Sequence, residues 1–429
     1  MKISKTNSLR GEINVPGDKS ISHRSIMLGS LAEGDTIITG FLKSADCIST
    51  MNAFRAMGID IEENGETLVV HGKGLNGLSK PEHIIDCGNS GTTTRILSGI
   101  LAGQKFPTAL TGDESIQKRP MKRVIEPLSK LGAYIRSVKD NGCAPLEIEP
   151  QPLHGADIRI NIASAQVKSA LLLAGLYADG PVSVTEPSLS RNHTELMLKS
   201  FGADISAGTA DSPTAIITPG KTLHGQRISV PGDISSAAYF IGAALITPDS
   251  EVLVKNVGIN PTRAGLIEVF KNMNANITLL DEREAAGEKV ADILVKTSEL
   301  KACTIKGDII PTLIDELPLI AVVASQAEGT TVIADAEELK VKESNRIDLT
   351  VNNLNAMGAD ASATDDGMII KGKTPLHHAV INTAKDHRIA MSFAVAALIS
   401  NDSEPTEILD SECVAISYPE FFDDLASLK

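Results

Sequence analysis

At 429 residues the chain is too long for one hydrophobic core to keep growing, so two domains are expected. A net charge of −14 excludes the broad basic surface that nucleic acid requires, yet leaves room for a local basic cleft around a small anion. The five cysteines are scattered without a C-x-x-C pair, aromatic residues make up 3% with no tryptophan, and no apolar run approaches the length of a membrane span; free thiols are expected, and stacking platforms and transmembrane helices are not.

The opening stretch, MKISKTNSLRGEI, lacks the apolar core of a secretory signal, which leads to the expectation of a cytoplasmic protein. The turn Pro16-Gly17-Asp18 then precedes Lys19, Ser20 and Arg24 and a helical run, SIMLGSLAEG. The two cations fall near the helix start, where backbone N–H groups already favour an anion. Helix CISTMNAFRAM and strand TLVVHG follow. Next, Gly72 to Gly77 fits G-x-G-x-x-G, but Leu78-Ser79-Lys80-Pro81 follows instead of a helix, so a loop is expected and not a dinucleotide site.

The segment DCGNSGTTTR, containing Asn89, Gly91 and Arg95, precedes the apolar run ILSGILAG. Small residues at a helix start suit phosphate or carboxylate, and a capping turn is the plainer alternative. In QKRPMKR, Arg119 stands before Pro120, which biases its backbone to an extended form. Ser164, Ala165 and Gln166 then open another helix, with Ser164 able either to cap it or to meet a phosphate, and SRNHTE adds Arg191. In the second half, PTLIDELP sets Asp315 and Glu316 among apolar residues, where desolvation would raise a carboxylate pKa. Lys342 and Arg346, four apart, would share a helix face with Glu343 beside them. Finally Asp386-His387-Arg388 begins the helix IAMSFAVAALI. Cations from both halves, against a few acids, predict a cleft for two anionic substrates with the acids moving protons. With neither H-E-x-x-H nor a Cys/His cluster, no metal is expected.

Two repeats organise the chain. VPGDKSISHR, ending at Arg24, returns as VPGDISSAAY, ending at Tyr239, with Ile234 and Tyr239 in place of the cations. An apolar–Gly/Asn–small turn recurs at Met57, Leu131, Phe201, Met273 and Met357, at spacings of 74, 70, 72 and 84 residues. Each copy reads as a helix end, a left-handed Gly or Asn, and a strand start. Six units of about 70 residues would fill the chain, the sixth completed by the N-terminal strand. Residues 20–226 are expected to form one domain, and 1–19 with 227–429 the other.

The motifs VPGDKSISHR, DCGNSGTTTR, QKRPM, SAQVKSALLLAG, SRNHTE, PTLIDELP, VKESNR and DHRIAM together resemble the 5-enolpyruvylshikimate-3-phosphate synthases over essentially the full length. GNSGTTTR and SRNHTE are closer to the bacterial class II type than to the plant and enteric type. The resemblance implies an α/β fold of mixed sheets, inside-out barrel-like, with six βαβαββ units, three per domain. It also implies transfer of the enolpyruvyl group of phosphoenolpyruvate to the 5-hydroxyl of shikimate 3-phosphate, by addition and elimination, with no cofactor and no metal, in a monomer that binds neither nucleic acid nor membrane.

Carried over by motif, Lys19 would touch both substrates. Ser20, Arg24, Ser164, Ala165, Gln166, Arg191 and Lys342 would line the shikimate 3-phosphate side, with Gln166 also near phosphoenolpyruvate. Arg119, Arg346 and Arg388, beside Asn89, Gly91 and His387, would hold phosphoenolpyruvate. Asp315 would accept the hydroxyl proton and Glu343 would serve the methylene carbon, with Lys19 a third candidate for proton transfer. Two positions depart from the enteric pattern: Ile416 replaces a phosphate-binding lysine and Glu338 an asparagine. Gly91 occupies the small-residue position that influences inhibition by glyphosate. The nearest rivals, the UDP-N-acetylglucosamine 1-carboxyvinyltransferases, carry Lys-Asn near the N-terminus and a loop cysteine, where this chain has Lys19-Ser20 and QKRPM. A decayed anion-binding relative would have lost Lys19, Asp315 or Glu343, and all three are present.

Overall fold

The computed structural model of the chain describes residues 1–285 and 287–429. The chain folds into two compact units, one of Gly17–Val230 with Glu284–Glu288, the other of Met1–Pro16, Pro231–Arg283 and Lys289–Lys429. Two separate cores match this division, one built from Ile21 to Val230, the other from Ile3 to Val15 and Ile234 to Leu428.

Among the described residues the strands form six sheets, five of four strands and one of three. Five of them share one plan, seen plainly in Ile85–Asp86, parallel to Thr108–Thr111, which pairs antiparallel with Leu146–Glu149 and through it with Tyr134–Ser137. Helix Gly91–Ala102 provides the parallel crossover, and helix Lys122–Lys130 precedes the closing hairpin. This is the βαβαββ order that the repeat predicts, and Ala156–Thr218 follows it again. The three-stranded sheet joins Val380–Ile381 and Thr406–Ile408 to the N-terminal strand Lys2–Ile3, which completes the sixth unit. No sheet closes on itself among the described residues, so the barrel-like expectation reduces to separate sheets backed by helices.

The duplicated V-P-G-D segments mark a strand exchange. Strand Arg10–Asn14 precedes the first copy but pairs with Glu251–Gly258, which lies beyond the second. Strand Arg227–Ser229 precedes the second copy but pairs with Glu33–Thr39, which lies beyond the first. In both copies the aspartate caps the next helix: Asp18 accepts from the Ile21 N–H and Asp233 from the Ser235 N–H, each at 2.8 Å. Where the second copy lacks its cations, Ile234 and Tyr239 are core residues, and Tyr239 meets Phe421 edge to face at 5.7 Å.

The five turn markers act as their pattern predicts. Gly58, Gly132, Gly202, Asn274 and Gly358 all have φ between +68° and +96°, a region where glycine or asparagine is least strained. With no tryptophan, the inner helices pack through small side chains. Helices Gly91–Ala102 and Ala165–Gly175 approach so closely that a Cβ on Gly99 would stand 2.0 Å from the Ala170 carbonyl oxygen. This closeness fixes the two helix N-termini beside each other. No described helix is long and apolar enough to cross a membrane.

Candidate active site

In the Gly17–Val230 unit the predicted residues gather at helix beginnings. Lys19 opens helix Lys19–Leu31, and its ammonium meets Asp46 Oδ2 at 2.5 Å. Arg24, one turn on, is buried; its Nε donates to Thr194 Oγ1 at 2.6 Å, Nη2 to Ser169 Oγ at 2.9 Å and Nη1 to the Ser20 carbonyl at 3.0 Å. Desolvation lowers its pKa to about 10 against the pull of Glu195 and Asp18.

Ser90 caps helix Gly91–Ala102, accepting from the Thr93 N–H, so the capping role and the small-residue loop coincide. Arg119 has the extended backbone that Pro120 predicts (φ −77°, ψ 137°). Its Nη2 donates to Asn89 Oδ1 at 3.0 Å and to Ser115 Oγ at 3.2 Å, while Asn89 Nδ2 donates to Asp113 at 2.6 Å. Ser164 caps helix Ala165–Gly175 through a long 3.5 Å bond from the Val167 N–H. Gln166, one residue into that helix, accepts from Arg95 Nη1 at 2.6 Å and donates to Thr92 Oγ1 at 3.0 Å. Arg191 lies just ahead of helix His193–Ser200.

A buried polar chain braces these helix starts. His23 Nδ1 shares a hydrogen bond with Thr50 Oγ1, which in turn bonds Thr93 Oγ1, each at 2.7 Å, and Thr93 donates to Ser90 Oγ. Burial pulls the His23 pKa down to about 3; Asp46 works against this, and Lys19 and Arg24 add to it. The unfolded chain therefore takes up the proton first. His23 contributes full stability above its ordinary value of 6.5, and that contribution is lost as pH falls from 6.5 toward about 3. Each pH unit in this window costs at most about 1.4 kcal/mol. Denaturant titrations at pH 7 and pH 5 should show His23→Asn losing less stability between the two than the parent chain; equal losses would exclude His23 as a source of acid sensitivity.

In the second unit a tighter cluster forms. Arg346, the first residue of helix Arg346–Ala356, is 1% exposed; its Nε donates to Asp386 Oδ2 at 2.8 Å, Nη2 to Glu343 Oε2 at 2.5 Å and Nη1 to Asp315 Oδ1 at 3.3 Å. Lys342 Nζ is 3.6 Å from the same Asp315 oxygen, and Arg388 Nη2 is 4.0 Å from the other. Arg388 also donates to Glu316 Oε1 at 3.2 Å and to the Asp315 carbonyl at 3.3 Å. Burial alone would weaken both arginines' hold on their protons, but the surrounding carboxylates more than reverse it and raise both pKa values. Asp386 caps helix His387–Ala397 and accepts from Ser344 Oγ at 2.8 Å.

Two expectations need correction here. Lys342 and Arg346 do not share a helix face: Lys342 follows the short helix Glu337–Val341, and Asn345 caps the next helix, which starts at Arg346. Asp315 is surrounded by cations, not isolated among apolar side chains as its sequence neighbours suggest. Ile416 packs against the core of its unit.

The EPSP synthase (3-phosphoshikimate 1-carboxyvinyltransferase) family model matches residues 3–425. The chain belongs to the EPSP synthase family. It is 52% identical over 429 residues to a 3-phosphoshikimate 1-carboxyvinyltransferase of Bacillus velezensis, covering 100% of this chain and 99% of that one. It is 54% identical over 424 residues to the protein of that name from Geobacillus kaustophilus, covering 98% of each. An EPSP synthase structure from Acinetobacter baumannii superposes with a TM-score of 0.90 at 45% identity, covering 100% of this chain and 97% of that chain. The enolpyruvyl transferase NikO of Streptomyces tendae shares the fold, with a TM-score of 0.79 at 19% identity over 100% of this chain and 96% of its own.

For this member of the EPSP synthase family, sequence reasoning passed over Asp46, which holds Lys19, and named Arg95 without foreseeing that it orients Gln166. An acid in the first turn after Ser44 was the available signal for Asp46. Gly91 shows how tight the arginine packing is: an added Cβ would stand 3.3 Å from Arg119 Nη1 and 3.6 Å from Arg95 Nη1. Both are ends of flexible side chains, so Gly91→Ala should fold with an unchanged melting temperature. It should raise KM for an anion held by Arg119 by roughly threefold to tenfold, about 1 kcal/mol of displaced hydrogen bonding; an unchanged KM would separate Arg119 from substrate.

Proposed function

We propose that the chain transfers the enolpyruvyl group of phosphoenolpyruvate to the 5-hydroxyl of shikimate 3-phosphate, releasing inorganic phosphate. The observation that carries this reading is the Asp315 carboxylate ringed by Lys342, Arg346 and Arg388 with Glu343 on the same guanidinium, in a chain whose relatives bear that activity in their names. A carboxylate fixed among cations can take a hydroxyl proton while the cations stabilise phosphate and carboxylate charge as it shifts.

In this reading Asp315 is the base toward the 5-hydroxyl, Glu343 exchanges a proton with the methylene carbon, and Lys19 assists. Ser20, Arg24, Ser164, Ala165, Gln166, Arg191 and Lys342 serve shikimate 3-phosphate. Asn89, Gly91, Arg119, Arg346, His387 and Arg388 serve phosphoenolpyruvate. Lys19, Lys342, Arg346 and Arg388 each rest on a protein carboxylate in the structure. Substrate phosphates would share or replace those partners, so binding exchanges one anion for another and does not bring a bare charge out of water. The protein is read as a cytoplasmic monomer.

Phosphate release from phosphoenolpyruvate should require shikimate 3-phosphate and should not occur with UDP-N-acetylglucosamine. Release with the nucleotide sugar alone would replace this reading, and release with neither would leave an anion-binding relative.

A further inference from the structure

We propose, resting on the function just given, that Glu186 is a positioning residue for recognition of the shikimate 3-phosphate phosphate group. It fixes the spacing between the loop that ends at Ser164 and the loop that carries Arg191.

The carboxylate stands just past strand Val182–Thr185 and its side chain is fully buried. Oε1 accepts from the Ser164 N–H at 3.0 Å and from Ser190 Oγ at 2.6 Å. Oε2 accepts from the Ser190 N–H at 3.2 Å and from Lys168 Nζ at 2.7 Å. These four donors match the capacity of an ionised carboxylate. Two come from Ser190, the residue before Arg191, and one from Ser164, the cap of the helix that begins Ala165-Gln166.

The bond to Ser164 has a specific meaning. In a capping box the third helical residue's acid accepts from the N-cap N–H. Here that position is Val167, which cannot do so, and Glu186 supplies the acceptor from the loop after strand Val182–Thr185. The reciprocal half of the box is the loose 3.5 Å contact from Val167 N–H to Ser164 Oγ. The backbone of Ser164 is therefore held firmly while its hydroxyl is held weakly, the combination a phosphate ligand can use.

Lys168 makes the arrangement tolerable in the core. It is 1% exposed, pairs with Glu186 and with Glu195 Oε1 at 2.9 Å, and donates to the Ser190 carbonyl at 3.3 Å. A lysine is buried this deeply only when paired. The same ammonium thus ties a third atom of the Ser190 segment to the helix that Ser164 caps.

The test is Glu186→Gln. The amide keeps one acceptor oxygen but turns a donor either toward the Ser190 N–H and Lys168 or toward the Ser164 N–H, so one loop is released, while Lys168 and Glu195 remain as a balanced pair and folding is preserved. KM for shikimate 3-phosphate should rise about tenfold, the loss of one charge-assisted hydrogen bond. kcat and the KM for phosphoenolpyruvate should stay within about threefold. By calorimetry, affinity for shikimate, which lacks the phosphate, should fall less than affinity for shikimate 3-phosphate. Ser190→Ala, which removes one of the four bonds, should show the same signature at about threefold.

Equal loss for both ligands, or a lowered melting temperature with unchanged KM in both variants, would overturn the proposal and leave the group as a core ion pair. A parent protein that neither binds nor turns over shikimate 3-phosphate would instead overturn the function on which the proposal rests.

Discussion

Asp315→Asn is expected to lower kcat by about 10²-fold or more, the usual scale for a positioned acid or base. The substitution keeps the shape of the side chain and one acceptor oxygen for Arg346. It removes the negative charge and the capacity to take a proton from a hydroxyl. It also leaves Lys342, Arg346 and Arg388 with one carboxylate fewer, although Glu316, Glu343 and Asp386 still hold the two arginines. Affinity for the two anionic substrates should therefore stay within roughly tenfold or improve, since an internal competitor for the cations has gone. Steady-state phosphate release together with calorimetric binding of shikimate 3-phosphate separates the two effects. A drop in kcat with retained binding identifies Asp315 as a group that acts on the reaction itself. Unchanged turnover would remove Asp315 from the mechanism and leave it as a structural counter-ion.

The local features of this chain were legible in its sequence. Helix ends at Gly58, Gly132, Gly202, Asn274 and Gly358 depend on a single left-handed residue, and Arg119 is extended because Pro120 follows it. Helix starts at Lys19, Gly91 and Ala165 follow capping residues that a reader can see. The placement of Lys342 failed for an instructive reason. A spacing of four puts two residues on one face only if the helix has already begun, and Asn345, with Asp348 three residues later, marks a start between them.

What the sequence did not reveal was pairing across distance. Asp46 is 27 positions from Lys19, Gln166 is 71 from Arg95 and Asp386 is 40 from Arg346. No periodicity reports such pairings. The strand exchange was hidden for a related reason: Arg10–Asn14 and Arg227–Ser229 occupy equivalent places in two similar halves, so pattern alone cannot say which sheet each one joins. Lys19, Lys342, Arg346 and Arg388 were recognisable as cations, but their pairing with Asp46, Asp315, Asp386 and Glu316 was not. That difference matters for function, because it changes the expected unliganded state from exposed positive charge to a set of paired ions.

The largest loss of stability is expected for Asp386→Ala. This carboxylate has no exposed surface, receives Nε and Nη2 of Arg346 and the Ser344 hydroxyl, and caps helix His387–Ala397 through the Arg388 N–H at 3.0 Å. Burial by itself would push its pKa up, but the Arg346 charge and hydrogen bond outweigh burial and hold it below the ordinary aspartate value. Its contribution is thus present above the unfolded value of 3.8 and is lost as pH falls below that through the folded pKa. Truncation leaves the 1%-exposed Arg346 guanidinium without the acceptor of its Nε. Breaking a buried pair costs about 3–5 kcal/mol and losing an N-cap about 0.5–2 kcal/mol. The unit that contains residues 289–429 should then melt roughly 10 °C lower. Asp386→Asn, which keeps the cap acceptor and one bond to Arg346, should recover part of the loss. Both variants should also raise KM for phosphoenolpyruvate, because Arg346 and Arg388 leave their set positions together. Thermal scans of the two variants against the parent decide the matter: a shift of less than about 2 °C for the alanine variant would mean that Arg346 finds water or Glu343 as an adequate substitute, and that the Asp386 pair is not what holds this cluster in place.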